Sequence, residues 1–114
     1  MSLHELSLCE SLLEIIEEQA VVHRYRRVRT VWLEVGQFAG VECEALRFSF
    51  DVVMQGSLAD GARLEIVDLP GRGWCFRCGE EVTLETSFDT CPQCDGPVHI
   101  TGGEEFRIKE LEVE

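Results

Sequence analysis

Trp74–Val98 reads WCFRCGEEVTLETSFDTCPQCDGPV, and the spacing of its cysteines decides how the rest of the chain is read. Cys75 and Cys78 are two residues apart, and Cys91 and Cys94 repeat that interval. A C-x-x-C turn aims two sulfurs at one point. Two such turns facing each other make a tetrahedral four-thiolate shell, the geometry Zn2+ accepts in structural sites. The 12 residues between the pairs suffice for a hairpin, and Gly79, Pro92 and Gly96-Pro97 are tight-turn residues set around them. Two disulfides of a secreted domain are the competing reading. No signal peptide is visible and cytosolic thiols stay reduced, so a cytoplasmic protein with a metal is expected, zinc ahead of iron. Four thiolates leave no position for water or substrate, which points to a structural rather than a catalytic ion.

Around this stretch lies a chain of 114 residues with 22 acidic and 10 basic side chains, a net charge of −12. Its 45% hydrophobic content allows a core in the larger part. A ribbon of about 25 residues cannot bury enough surface without its metal. No apolar run approaches the roughly 20 residues of a membrane span, so no membrane partner is expected. The negative charge repels phosphate backbones, which argues against nucleic acid. Arg24, Arg26, Arg27 and Arg29 form one short cluster, read as a solvated helix end and strand start.

From His4 to about Val22 the pattern is an amphipathic helix, with Leu6, Cys9, Leu13, Ile16 and Ala20 on one face, widened by Leu12 and Ile15. Glu10, Glu14 and Glu17 take the opposite face. Cys9 and Cys43 read as buried thiols, and His23 as a helix-end residue. Between Arg27 and Val35 the period switches to two, a strand. Gly36 and Gly40 bracket a turn, and Glu42–Gln55 returns to helical spacing, with acidic residues in its first turn and Gly56 at its close. Ala62–Leu69 is a second strand, and the strand–helix–strand order predicts a crossover with parallel neighbours. Pro70-Gly71-Arg72-Gly73 reads as a hinge into the ribbon. Glu104–Glu114 reads as a third strand returning to the main sheet, its alternation slipping near Glu110. The fold class is α+β: a small mixed three-stranded sheet packed by two helices, with an inserted four-cysteine zinc ribbon. The expected domains are residues 1–70 plus 104–114 and residues 71–103.

The start of the chain reads MSLHE. The first amides of a helix lack intrahelical acceptors, so a metal that displaces amide protons can use them there. Ni2+ and Cu2+ favour square-planar nitrogen sites, here a terminal amine, backbone amides and the His4 imidazole.

HELSL at His4–Leu8, VGQFAGVECEALRFSFDVV at Val35–Val53, GARLEI at Gly61–Ile66 and the four-cysteine ribbon occur in that order. Together they resemble the HypA/HybF family of nickel chaperones for [NiFe]-hydrogenase maturation, over nearly the whole chain. The resemblance implies nickel at His4, with Glu5 as its companion, and structural zinc at Cys75, Cys78, Cys91 and Cys94. It implies as partner the GTPase that helps load nickel, as client the hydrogenase large subunit, and urease as a second destination. A homodimer is the assembly considered. Family members typically begin Met-His-Glu, whereas Ser2 and Leu3 here separate Met1 from His4. The alternative is a zinc-ribbon interaction module of transcription or translation machinery. Glu80, Glu81, Glu85, Asp89 and Asp95 against Arg77 alone in Trp74–Val98 oppose it. An enzyme is not expected. HELS resembles the opening of an H-E-x-x-H zinc motif, but position 8 is Leu, and no Ser-His-Asp or Cys-His arrangement is visible.

Overall fold

The alternation of Val31, Leu33 and Val35 with Thr30, Trp32 and Glu34 builds β1 (Val28–Gly36), the middle strand of a three-stranded sheet ordered β2-β1-β6. The structure, a computed structural model, describes residues 3–114. Its elements are α1 (Leu3–His23), β1, α2 (Cys43–Met54), β2 (Arg63–Leu69), β3 (Gly71–Cys75), β4 (Glu80–Leu84), β5 (Val98–Gly102) and β6 (Phe106–Val113). Val28 N donates to Leu58 O ahead of β2, and Gln37 N donates to Leu69 O at its end, both at 2.9 Å. β1 and β2 therefore advance in the same direction, with α2 in the crossover. Glu114 N donates to Arg27 O at 2.8 Å and Gly36 N to Glu105 O at 2.7 Å, so β6 runs antiparallel. The sheet is mixed, as the sequence predicts. The exposure of β6 alternates through Ile108, then Lys109 and Glu110 are both exposed and Leu111 is half-buried.

Two compact units divide the chain. One comprises the residues up to Leu33, Val41–Ile66 and Ile108–Glu114; the other comprises Glu34–Gly40 and Val67–Arg107. The first unit has a hydrocarbon core in which Ile16, Val28, Val31, Leu33, Leu46, Phe50 and Met54 are buried. α1 buries Glu5, Cys9, Leu12 and Ile16, at i, i+4, i+7 and i+11. That stripe is rotated from the expected face: Leu6, Leu13 and Ala20 are only half-buried and Ile15 is exposed. A carboxylate on the buried face is what hides this phase from a hydrophobicity pattern. α2 starts on Glu42, whose carboxylate accepts from Glu44 N at 3.2 Å and Ala45 N at 2.6 Å, satisfying two of the amides that have no partner in the helix.

In the second unit, β3 pairs antiparallel with both β4 and β5, giving the order β4-β3-β5. This corrects the expected hinge at Pro70–Gly73. Only Pro70 links β2 to β3, and Gly71, Arg72 and Gly73 are strand residues. A Cβ on Gly71 would fall on the Phe38 ring. The glycine that suggested a bend is there to admit that ring. Among the described residues, no helix is long and apolar enough to cross a membrane.

Candidate metal centre

Each cysteine pair sits on a turn of the same construction. Gly79 N donates to Cys75 O and Asp95 N to Cys91 O, both at 2.8 Å. Gly79 (φ 66°) and Asp95 (φ 58°) occupy the left-handed region, which glycine enters freely and aspartate tolerates. Within the turns, Cys78 N points at Cys75 Sγ and Gln93 N at Cys91 Sγ, both at 3.4 Å. Sequence spacing singles out Gly96 as a turn residue of the second pair, yet the left-handed position is Asp95. Gly96 serves another purpose: a Cβ there would lie 3.1 Å from Cys94 Sγ and 3.0 Å from Arg77 Cδ.

The two turns bring Cys75, Cys78, Cys91 and Cys94 together, with all four sulfurs within 4.8 Å of one another. Cys75 Sγ and Cys94 Sγ are 3.6 Å apart, and Cys78 Sγ and Cys91 Sγ are 3.9 Å apart. A tetrahedron with metal–sulfur bonds of about 2.3 Å has edges of about 3.8 Å, so the spacing suits a zinc-sized ion. All four thiols are free. Four sulfurs gathered at one point are the arrangement that the metal reading of the sequence expects. Cys75 and Cys91 are buried, Cys94 is half-buried and Cys78 is exposed.

The sulfurs also perturb one another as acids. The Cys78 amide donates to Cys75 Sγ and lowers its pKa to about 7, helped by contacts from the other three thiols. Cys78 moves the other way, pushed up to about 12, chiefly by its side-chain bond to Cys75. One thiolate is stabilised at the expense of its neighbour, which is how four crowded sulfurs behave before a cation neutralises them.

The centre rests on a small core of Cys75, Val82, Leu84 and Cys91, with Phe38, Cys94, Val98 and Ile100 packed against it. Phe38 is the contribution that sequence reading missed, since it lies in the turn bracketed by Gly36 and Gly40. Its neighbour Gln37 donates from Nε2 to Glu85 O at 2.9 Å, and Gln37 Oε1 accepts from Gly71 N at 3.3 Å. Phe38 N also donates to Gly103 O. An aromatic side chain inside a glycine-bracketed turn is the signal that could have revealed this anchor. The loop between β4 and the second pair is closed by Asp89, whose carboxylate accepts from Thr86 Oγ1, Thr86 N and Glu85 N and so has a lowered pKa.

At the other candidate site, His4 and Glu5 are adjacent in the first turn of α1, His4 exposed and Glu5 buried. Cys9, one turn further on, has its thiol raised to about 11 by burial and by the Glu5 charge, and it donates to Leu46 O at 3.6 Å. This is the inert thiol expected from the sequence. Met1 and Ser2, and with them the terminal amine, lie outside the described residues. His99 is exposed on β5, opposite Trp74.

Fold and four-sulfur cluster together define a small α+β protein with a metal-binding ribbon inserted between two strands of its mixed sheet. The family described as "Hydrogenase/urease nickel incorporation, metallochaperone, hypA" matches residues 3–113. Hydrogenase maturation factor HypA of Azotobacter chroococcum mcd 1 is 52% identical over 113 residues, covering 98% of this chain and 100% of its own length. The protein of the same name from Cereibacter sphaeroides (strain KD131 / KCTC 12085) is 55% identical over 116 residues, with the same coverage. The solution structure of the Ni metallochaperone HypA from Helicobacter pylori superposes with a TM-score of 0.71 at 26% identity, covering 96% of each chain. This chain belongs to the HypA family of hydrogenase maturation factors.

Proposed function

We propose that the protein carries nickel for hydrogenase maturation. In this reading Cys75, Cys78, Cys91 and Cys94 hold a structural zinc, which supplies a fixed cross-link between the two turns. His4 ligates the transported nickel, with Glu5 its companion. The observation that carries the reading is the closed character of the four-sulfur cluster. With all four sulfurs within 4.8 Å of one another, it has no open position from which an ion could be handed on. A member of a nickel-incorporation family therefore needs a second site. The exposed His4 imidazole, beside helix-start amides with no intrahelical acceptor, offers the nitrogen donors Ni2+ favours.

The same proposal includes a nickel-loading GTPase as partner, the hydrogenase large subunit as client, urease as a further destination, a homodimer and a cytoplasmic location. It also assigns nickel binding to residues 1–70 with 104–114, and zinc binding to residues 71–103. Titration of the zinc-loaded chain with Ni2+ tests its centre. His4→Ala is expected to abolish stoichiometric nickel binding while about one zinc per chain is retained. Equal nickel binding by the variant overturns the assignment.

A further inference from the structure

β6 lies at one side of the three-stranded sheet β2-β1-β6, and among the described residues no strand pairs with its outer edge. From its start the strand reads Phe106-Arg107-Ile108-Lys109-Glu110-Leu111-Glu112-Val113. Laid antiparallel on its own copy, with Lys109 opposite Glu110, it meets itself without a mismatch. This alignment sets Phe106 against Val113, Arg107 against Glu112 and Ile108 against Leu111. Opposite charges and apolar pairs directly across two antiparallel strands are favourable, and like charges there are not. Lysine on an edge strand commonly serves only to deter pairing. That role needs charge but no order, whereas here both basic residues precede the centre and both acidic residues follow it.

The backbone suits the same register. At one end of the β1–β6 pair, Glu114 N donates to Arg27 O at 2.8 Å and Arg27 N to Glu114 O at 3.4 Å. At the other end Gly36 N donates to Glu105 O at 2.7 Å. Backbone groups of an antiparallel strand point alternately to its two sides. Counted back from Glu114, Val113 and Leu111 therefore turn theirs to the open edge. Counted forward from Glu105, Phe106 and Ile108 do so. The two counts meet out of step at Lys109 and Glu110, where the strand changes phase. The side chains agree, since Ile108, Leu111 and Val113 line one apolar groove of about 400 Å³ with Ile15 and Tyr25. A strictly alternating strand could not pair with its copy in this register, because Lys109 and Glu110 would lie on opposite faces. The change of phase removes that obstacle and sets Ile108 and Leu111 of two copies on the same face.

The central charges are also available. Lys109 and Glu110 are exposed and enter none of the ion pairs among the described residues, whereas Arg107 holds Glu34 and Glu112 accepts from Thr30. Ile15 and Val113 in the groove are 45% and 41% exposed, apolar surface that a neighbouring strand would cover. We propose that two copies of this chain join through β6, antiparallel, about a twofold axis between Lys109 and Glu110. The two three-stranded sheets then continue as one, with both α1 helices on the same face. Another protein's strand would have to bring this order of charges, whereas a second copy brings it by identity. The inference rests on the homodimer of the proposed function, to which it gives a surface, and is independent of the nickel assignment.

The test is sedimentation of the zinc-loaded full chain over a range of concentrations, with variants that reverse one charge each. The unaltered chain is expected to dimerise reversibly. Lys109→Glu and Glu110→Lys each replace two opposite-charge pairs across the axis by two like-charge pairs, and each should weaken dimerisation about tenfold. An equimolar mixture of the two variants restores opposite charges at both places and should dimerise as tightly as the unaltered chain. Zinc content and helical circular dichroism at normal levels show the variants folded. Should one fail to fold, the double reversal Lys109→Glu with Glu110→Lys, expected to recover dimerisation, decides in its place. Glu17→Lys, exposed and turned away from Ile15 and Gln19 on α1, changes net charge as much as Glu110→Lys and should not weaken dimerisation. A chain that stays monomeric at every concentration overturns both the homodimer and this surface. A dimer indifferent to the reversals, an equal loss in Glu17→Lys, or a mixture no tighter than its components overturns the pairing of β6 and leaves the homodimer standing.

Discussion

In the first unit Phe50, Ile16, Leu33, Leu46 and Met54 are fully buried, whereas the ribbon buries only Val82 and Leu84 beside Cys75 and Cys91. One unit pairs its strands in a mixed sheet and the other in an antiparallel one, and their interiors differ in kind. One excludes water from hydrocarbon, a non-directional effect that grows with area. The other has too little hydrocarbon for that and places four sulfurs where a cation can join them. The contrast teaches that one chain can carry two separate sources of stability, one sensitive to side-chain volume and the other to metal supply.

Removing a sulfur should separate the two most strongly. Structural Zn2+ binding is worth about 10–16 kcal/mol apparent in small zinc-finger peptides. Cys91→Ala is expected to release the metal and unfold β3–β5 while α1 and α2 persist. Metal analysis and amide spectra check it, and retention of about one zinc per chain in the variant would break the comparison. The reverse experiment is Phe50→Ala, expected to cost about 3–5 kcal/mol. Urea unfolding of α1 and α2 should shift to lower concentration while zinc stoichiometry stays unchanged; loss of zinc in step would show the units to share one stability.

Acid sharpens the contrast from the ribbon side. In the metal-free protein Cys75 titrates at about 7, lowered by the Cys78 amide, while Cys78 holds its proton until about 12. Metal must displace whatever protons the thiols hold, so affinity falls as pH falls. As pH drops through about 7, Cys75 adds one proton to those released, and the pH dependence of zinc affinity should steepen by that proton. Calorimetry in buffers of different ionisation enthalpy measures the release directly. An unchanged proton count on either side of pH 7 contradicts the distinct acidity of Cys75. The smallest effect is expected at Glu42→Ala, which removes the two capping bonds of α2 and should cost about 1 kcal/mol, with no change in zinc binding.

These two sources of stability differ equally in how they are written in the sequence. The four ligand positions are legible because C-x-x-C spacing is itself a geometric statement. β1, β2 and α2 are legible because a buried face imposes its period on the residues. β3 is not, because Gly71 and Gly73 face the core without side chains to mark it, their space taken by Phe38 and Leu84. β5 is hidden likewise by Gly102 at its end and by the exposure of His99 and Thr101. In α1 the stripe is misplaced by one step because Glu5 sits on its buried face. Asp95, rather than the glycine beside it, takes the left-handed position of the second turn, a choice that composition alone does not reveal.

The place of β6 in the sheet has a consequence in time. β6 pairs with β1 but is synthesised after β3, β4 and β5. While the ribosome is still adding Phe106–Val113, β1 has β2 as a neighbour and an open edge on its other side. Cys75 through Cys94 have by then already been made. Until β6 docks, β1 keeps one edge open to other chains, and the order of synthesis makes that edge the last to be closed.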